Sequence, residues 1–294
     1  MEIKKIPDLL SISNFPVGLG GCRNEGRQFD CCEHNITVMD EKSGETVHKI
    51  SNHLVKLHHC SSLETNAGVL MQLENMTILC DDQWKLRMLL SKIKEKAGKI
   101  FTSYTQNCLI DTGIFANKAR EAVKNKDPLA GVWVKCASYF LTDALFSINF
   151  KRPSPAHMLE MMRDMKKDNV NQNFLLIHQI LGIERTSTSL LSRMVKSTIG
   201  FSDMVEGNGH SEIIKMKHDY MVGNPLLADC YFYLGYINRN NILKVKNSLH
   251  RKPEYIHVLK VGLDTESDLL TIDKQATSLI QSTNELLVNM KNHK

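Results

Sequence analysis

Val17-Gly18-Leu19-Gly20-Gly21-Cys22-Arg23-Asn24-Glu25-Gly26-Arg27, followed by Asp30-Cys31-Cys32-Glu33-His34-Asn35-Ile36-Thr37-Val38, decides how this chain is read. A short apolar run that enters two glycines predicts a strand ending in a tight turn. Backbone amides at such a turn can approach a phosphate closely, and Arg23 or Arg27 can neutralise its charge. Glu33 and Asn35 lie two residues apart on the next predicted strand, so their side chains share a face.

Outward from this stretch, apolar runs separated by turn residues continue to about residue 80. Ile36 to Met39, Leu54 to Leu57, Val69-Leu70-Met71 and Met76 to Leu79 read as further strands of one small mixed sheet. Ser43-Gly44 predicts a hairpin that turns Ile36–Met39 back onto Thr46–Ile50 as antiparallel neighbours. From residue 81 the apolar period becomes 3.6. Asp81 or Asp82 caps a predicted helix with Trp84, Met88, Leu89 and Ile93 on its stripe.

Asp127 and Pro128 open a second, more strongly apolar helix, whose wide stripe from Ala130 to Ile148 predicts a central, buried element. Ser154-Pro155 starts another, carrying Met158, Met161, Met162 and Met165, which read as adaptable core filling. From about Asp264, with Thr265 and Asp268 resembling a capping box, a last helix spaces Leu269, Ile272, Ala276, Leu279, Thr283, Leu286 and Met290 as a narrow seam. That seam packs on its own bundle or, alternatively, joins two copies as a homodimer.

Composition sets the outer bounds. The 294 residues suffice for about two domains. With 42% apolar and 23% charged residues, the chain is neither disordered nor a disulfide-dense mini-fold. A formal charge of +5, spread without long runs of one sign, permits an anionic ligand but does not demand nucleic acid, which is not the expected partner. No run of about 18 apolar residues occurs, so no membrane span is expected. The 8 scattered cysteines read as free thiols or metal ligands in a cytoplasmic protein.

The motif stretch resembles the DNA polymerase β-like nucleotidyltransferase superfamily, above all its small members with a helical C-terminal domain, such as the aminoglycoside nucleotidyltransferases. That family carries a Gly-Gly-Ser or Gly-Ser turn, then Arg and Gly, then two acidic residues flanking one apolar residue at the start of a strand. Here the turn falls on Gly20-Gly21-Cys22, the following positions on Arg23 and Gly26, and the acidic pair on Glu33 and Asn35. The resemblance implies transfer of a nucleoside monophosphate from a triphosphate to a hydroxyl, with paired Mg²⁺ ions held by carboxylates.

The departures sit at the chemistry. Cys22 stands where a serine would donate to phosphate, and Asn35 stands where a charged metal ligand would sit. The strand expected to supply a third acid reads Leu54-Val55-Lys56-Leu57-His58-His59-Cys60, offering Lys56 and His58 on one face and no carboxylate. The sequence therefore predicts an α+β protein: a nucleotidyltransferase-like mixed-sheet domain over residues 1–100 and an all-helical bundle over 101–294. It would bind a nucleotide or another small phosphate ligand between the two domains, with transfer activity weakened or lost.

Gly20, Gly21, Cys22 and Arg23 are the expected phosphate-binding residues, and Glu33, Asn35, Lys56 and His58 the candidates for chemistry. Mg²⁺ would lie at Glu33 and Asn35. The alternative is Zn²⁺ at Cys32, His34, His58 and Cys60, whose soft thiolate and imidazole ligands suit it better than Mg²⁺. Two further readings are an active metal-dependent nucleotidyltransferase and a non-enzymatic protein that assembles through its last helix.

Overall fold

The computed structural model describes residues 2–207 and 209–292. These form two compact units, the first built from Met1–Ser103 and Asn208–Met216, the second from Tyr104–Gly207 and Lys217–Lys294. The first carries the mixed sheet and the second is helical, as the α+β reading expects.

The strands of the first unit are β1 (Val17–Gly20), β2 (His34–Val38), β3 (Gly44–Ile50), β4 (His53–His59) and β5 (Thr77–Cys80), arranged in the order β3-β4-β2-β1-β5. β1 runs antiparallel to β2 and β5, β2 runs parallel to β4, and β3 runs antiparallel to β4. The expected hairpin is thus corrected: β3 turns onto β4 through Ser51 and Asn52 instead of back onto β2. Thr46, Val47 and Ile50 are only partly buried, which suits an edge position better than a central one.

Helices α1 (Ile6–Leu9), α2 (Ala67–Leu73) and α3 (Lys85–Glu95) complete this unit, together with the opening turns of α4 (Ala97–Lys124). α2 corrects a second expectation, because Val69-Leu70-Met71 is helical. Asn66 accepts hydrogen bonds from the amides of Gly68 and Val69, and this N-cap starts a helix where a three-residue apolar run suits either period. The N-cap position of α3 falls on Trp84, not on Asp81 or Asp82, and the Trp84 side chain makes no cap bond; the Asp81 carboxylate instead reaches in from three residues earlier to accept from the amides of Leu86 and Arg87. The stripe is rotated, however. Leu86 and Ile93 are buried, whereas Trp84 and Met88 are exposed, and Trp84 sits in the left-handed region at φ 60° ahead of the helix.

The sheet has one apolar and one polar face, as alternation along each strand requires. Val17, Leu19, Ile36, Val38, Val55 and Leu57 gather with Ile6 and Ile12 into a buried core. The intervening residues form cross-strand rows on the opposite face. One row is Gly20-Asn35-Lys56-Val47, and the next is Gly18-Thr37-His58-Glu45.

In the second unit α4 is followed by α5 (Ala130–Ile148), α6 (Met158–Arg163), α7 (Asn173–Leu181), α8 (Thr188–Val205), α9 (His210–Gly223), α10 (Leu227–Val245), α11 (Glu254–Gly262) and α12 (Leu269–Asn292). The first residues of α9 belong to the sheet unit. Residues 130 to 147 of α5 are all buried, so the wide stripe does mark a central helix. It starts at Ala130, with Asp127 accepting from the Leu129 amide just ahead of it.

Met158, Met161, Met162 and Met165 are core residues. α12 begins at Leu269, not Asp264, because Asp268 takes the amide and hydroxyl of Thr271 as a local cap. Its seam residues Ile272, Ala276, Leu279 and Leu286 are buried within the unit, where α12 packs on α5 and α7. No helix among the described residues is long and apolar enough to cross a membrane.

Candidate functional site

Gly20 ends β1 and Gly21 makes the turn at φ 74°, a conformation that glycine adopts without the strain a side chain would add. A Cβ at Gly21 would come within 2.6 Å of the Asn35 side-chain nitrogen, so the turn lies directly against Asn35. The following loop is held by its own bonds. The amides of Glu25 and Arg27 both donate to the Cys22 carbonyl at 3.1 Å. The Arg23 guanidinium donates to the carbonyls of Cys32, at 2.6 Å, and Asp30, at 3.2 Å. Arg23 therefore clasps the loop in addition to bringing positive charge to it. The Cys22 side chain is buried, with its sulfur within 4.8 Å of the Cys32 sulfur.

Asn35 and Lys56 are direct partners across β2 and β4. The His58 Nε2 approaches the Asn35 Oδ1 at 3.4 Å, while its Nδ1 meets the Glu45 carboxylate at 2.7 Å. The other Glu45 oxygen takes Lys56 Nζ at 2.7 Å and lies 3.4 Å from His210 Nε2. Sequence reasoning missed Glu45 and His210. Glu45 becomes visible only once β3 is paired with β4, and His210 reaches β3 from a segment remote in sequence. Gly21, Asn35, His58, Glu45, Lys56 and His210 thus form one connected set of contacts that joins two neighbouring rows of the polar face.

Burial opposes the ionisation of Glu45, but the contacts of His210 and His58 and the charge of Lys56 outweigh it, holding the carboxyl well below the usual carboxylate range. We expect Glu45→Gln to cost about 1 kcal/mol at pH 7, a modest figure because the side chain is 34% exposed and solvent screens the pair. The carboxyl's value is depressed in the fold, so its contribution is present above the unfolded value of about 4.3 and fades as pH falls below it. Denaturant unfolding of both proteins should show a gap at pH 7 that narrows by pH 3; a constant gap would mean that the charge is not what stabilises.

The other candidates separate. Glu33 is buried just before β2, and among the described residues no cluster of three or more His, Cys, Asp or Glu ligands includes it. Cys32 and His34 lie at the start of β2, whereas parallel pairing carries His58 and Cys60 to its far end, where the Cys60 amide binds the Val38 carbonyl. Cys60 packs with Leu73 and Ile93, and burial pushes its thiol up to about 11. Burial, and then the charge of Arg23, lower His34 to about 4, so it is neutral near pH 7.

No protein-family model matches the sequence, and no curated protein matches it. Among solved structures the chain is similar to the crystal structure of a nucleotidyltransferase-like protein from Exiguobacterium sibiricum 255-15. The two share 12% identity over 86% of this chain and 89% of that one, with a TM-score of 0.28.

Proposed function

We propose that the sheet unit is a nucleotidyltransferase-like module that binds a nucleotide or another phosphate ligand at the Gly20-Gly21 turn, with metal-dependent transfer weakened or lost. The observation that carries this reading is the row Gly20-Asn35-Lys56, continued by Lys56 to Glu45. Two-metal transfer needs carboxylates gathered at the phosphates. This row instead sets an amide and an ammonium beside the turn, and the Glu45 carboxylate on the same face is engaged by Lys56 and His58. A cation in that place attracts phosphate directly and opposes the approach of Mg²⁺.

Calorimetric titration of the metal-stripped protein with ATP, CTP, GTP and UTP tests the reading. We expect binding that weakens with salt and changes little with Mg²⁺. Gly21→Val, which forces a side chain against Asn35, should weaken it at least tenfold. No binding of any nucleotide would remove the proposal. Binding strengthened strongly by Mg²⁺, with nucleotide transfer to an added hydroxyl acceptor, would replace it with an active enzyme.

A further inference from the structure

We propose that Cys22 and Cys32 bind a thiophilic d¹⁰ metal ion, Zn²⁺ or Cu⁺, which ties together the two ends of the loop that follows the glycine turn. Both side chains are buried, at 6% and 3% exposure, neither cysteine is in a disulfide, and their sulfurs lie within 4.8 Å of each other. A metal bonded to each thiolate at about 2.3 Å spans a gap of this size. Soft sulfur ligands select Cu⁺ or Zn²⁺ over the hard Mg²⁺ that the acidic positions would suggest.

The pair is also organised in advance. Amides of Glu25 and Arg27 fix the Cys22 carbonyl, Arg23 fixes the Cys32 carbonyl, and the Cys32 amide donates to the Phe29 carbonyl at 3.0 Å. These bonds hold the backbone of the loop, which keeps its shape as each thiol gives up its proton to solvent and its sulfur–metal bond forms. The positive Arg23 side chain, hydrogen-bonded at Cys32, offsets the negative charge of a dithiolate. The four-residue set of Cys32, His34, His58 and Cys60 has no such convergence, because β2 and β4 run parallel and hold its two halves apart.

The test uses the reduced, metal-stripped full chain and no nucleotide, so its outcome is independent of the phosphate reading. Zn²⁺ is titrated in one arm and Cu⁺, supplied anaerobically from a competing chelator, in the other. Bound metal is counted by native mass spectrometry, and alkylation rates are mapped to individual cysteines. We expect one ion per chain in at least one arm, with Cys22 and Cys32 alkylated at least tenfold more slowly and Cys31 and Cys60 unchanged. Cys22→Ser and Cys32→Ser should each weaken binding at least tenfold, whereas Cys31→Ser should retain it. If the serine variants fail to fold, the protection pattern of the natural chain decides alone. Absence of a stoichiometric ion in both arms, protection centred on Cys31 or Cys60, or a Cys22–Cys32 disulfide forming while neither ion binds would overturn the proposal.

Discussion

Arg239→Met is expected to destabilise the helical unit by about 3–5 kcal/mol, because it strips the partner from a carboxylate buried in the core. Arg239 donates to Asp143 Oδ2 at 2.6 Å, Tyr236 donates to Asp143 Oδ1 at 2.8 Å, and Arg239 and Asp143 are 4% and 1% exposed. The guanidinium is also stacked, 4.7 Å from the Phe140 ring centre and 4.2 Å from that of Tyr236. Burial pushes the Asp143 carboxyl up and Arg239 pulls it back down, so removing the cation leaves a group that must take up a proton or hold an unpaired charge.

Thermal unfolding followed by circular dichroism should show the midpoint falling by roughly 10 °C at the usual conversion for a unit of this size. The double variant Asp143→Leu with Arg239→Met should recover much of the loss, because an apolar pair leaves no buried charge unmatched. A single variant costing under about 1 kcal/mol would mean that the pair is not the buried contact described.

Gly235→Ala should be the next most damaging change. Gly235 lies in α10 where that helix meets Tyr139 of α5, and an added Cβ would overlap the Tyr139 hydroxyl and sit 2.8 Å from its ring Cζ. Tyr139 cannot swing clear. It is 1% exposed and boxed in by Phe232 and Tyr236, with ring centres 5.2 and 5.8 Å away. Forcing an extra methyl into such a core costs about 1–3 kcal/mol or more. Adding Tyr139→Phe removes the hydroxyl but not the ring carbon, so the pair of substitutions should regain part of the stability. An unchanged unfolding midpoint for Gly235→Ala would show that the two helices are looser than this packing requires.

Local pattern carried the reading as far as local forces decide structure. The change from short runs to a 3.6-residue period near residue 81 marks where the sheet gives way to helices, and the α5 stripe identifies a buried central helix. Val69-Leu70-Met71 failed because three residues satisfy either period, and the Asn66 cap settled the matter. The β3 partner failed because register and neighbour depend on the whole sheet, while Ser43-Gly44 signals only a turn.

At the site, Gly21, Asn35, Lys56 and His58 were legible because they share one motif or one strand face. Glu45 and His210 were not, since their meeting depends on the β3–β4 pairing and on a segment that returns late in the chain. The Asp143–Arg239 pair lay beyond reach for the same reason, joining positions 96 residues apart.

The sheet unit is discontinuous in sequence. Because a ribosome releases the chain from its N-terminal end, strands β1 to β5 emerge well before Gly209 and His210, which come to lie against Val47 and Glu45 of edge strand β3. Until then β3 lacks that cover, and Glu45 holds only the partners on β4. A nascent edge strand in this state can pair with neighbouring chains. The return of residues 209–216 therefore acts as a late closing step in biogenesis, and a fragment ending near Ser103 would hold the sheet in its unfinished form.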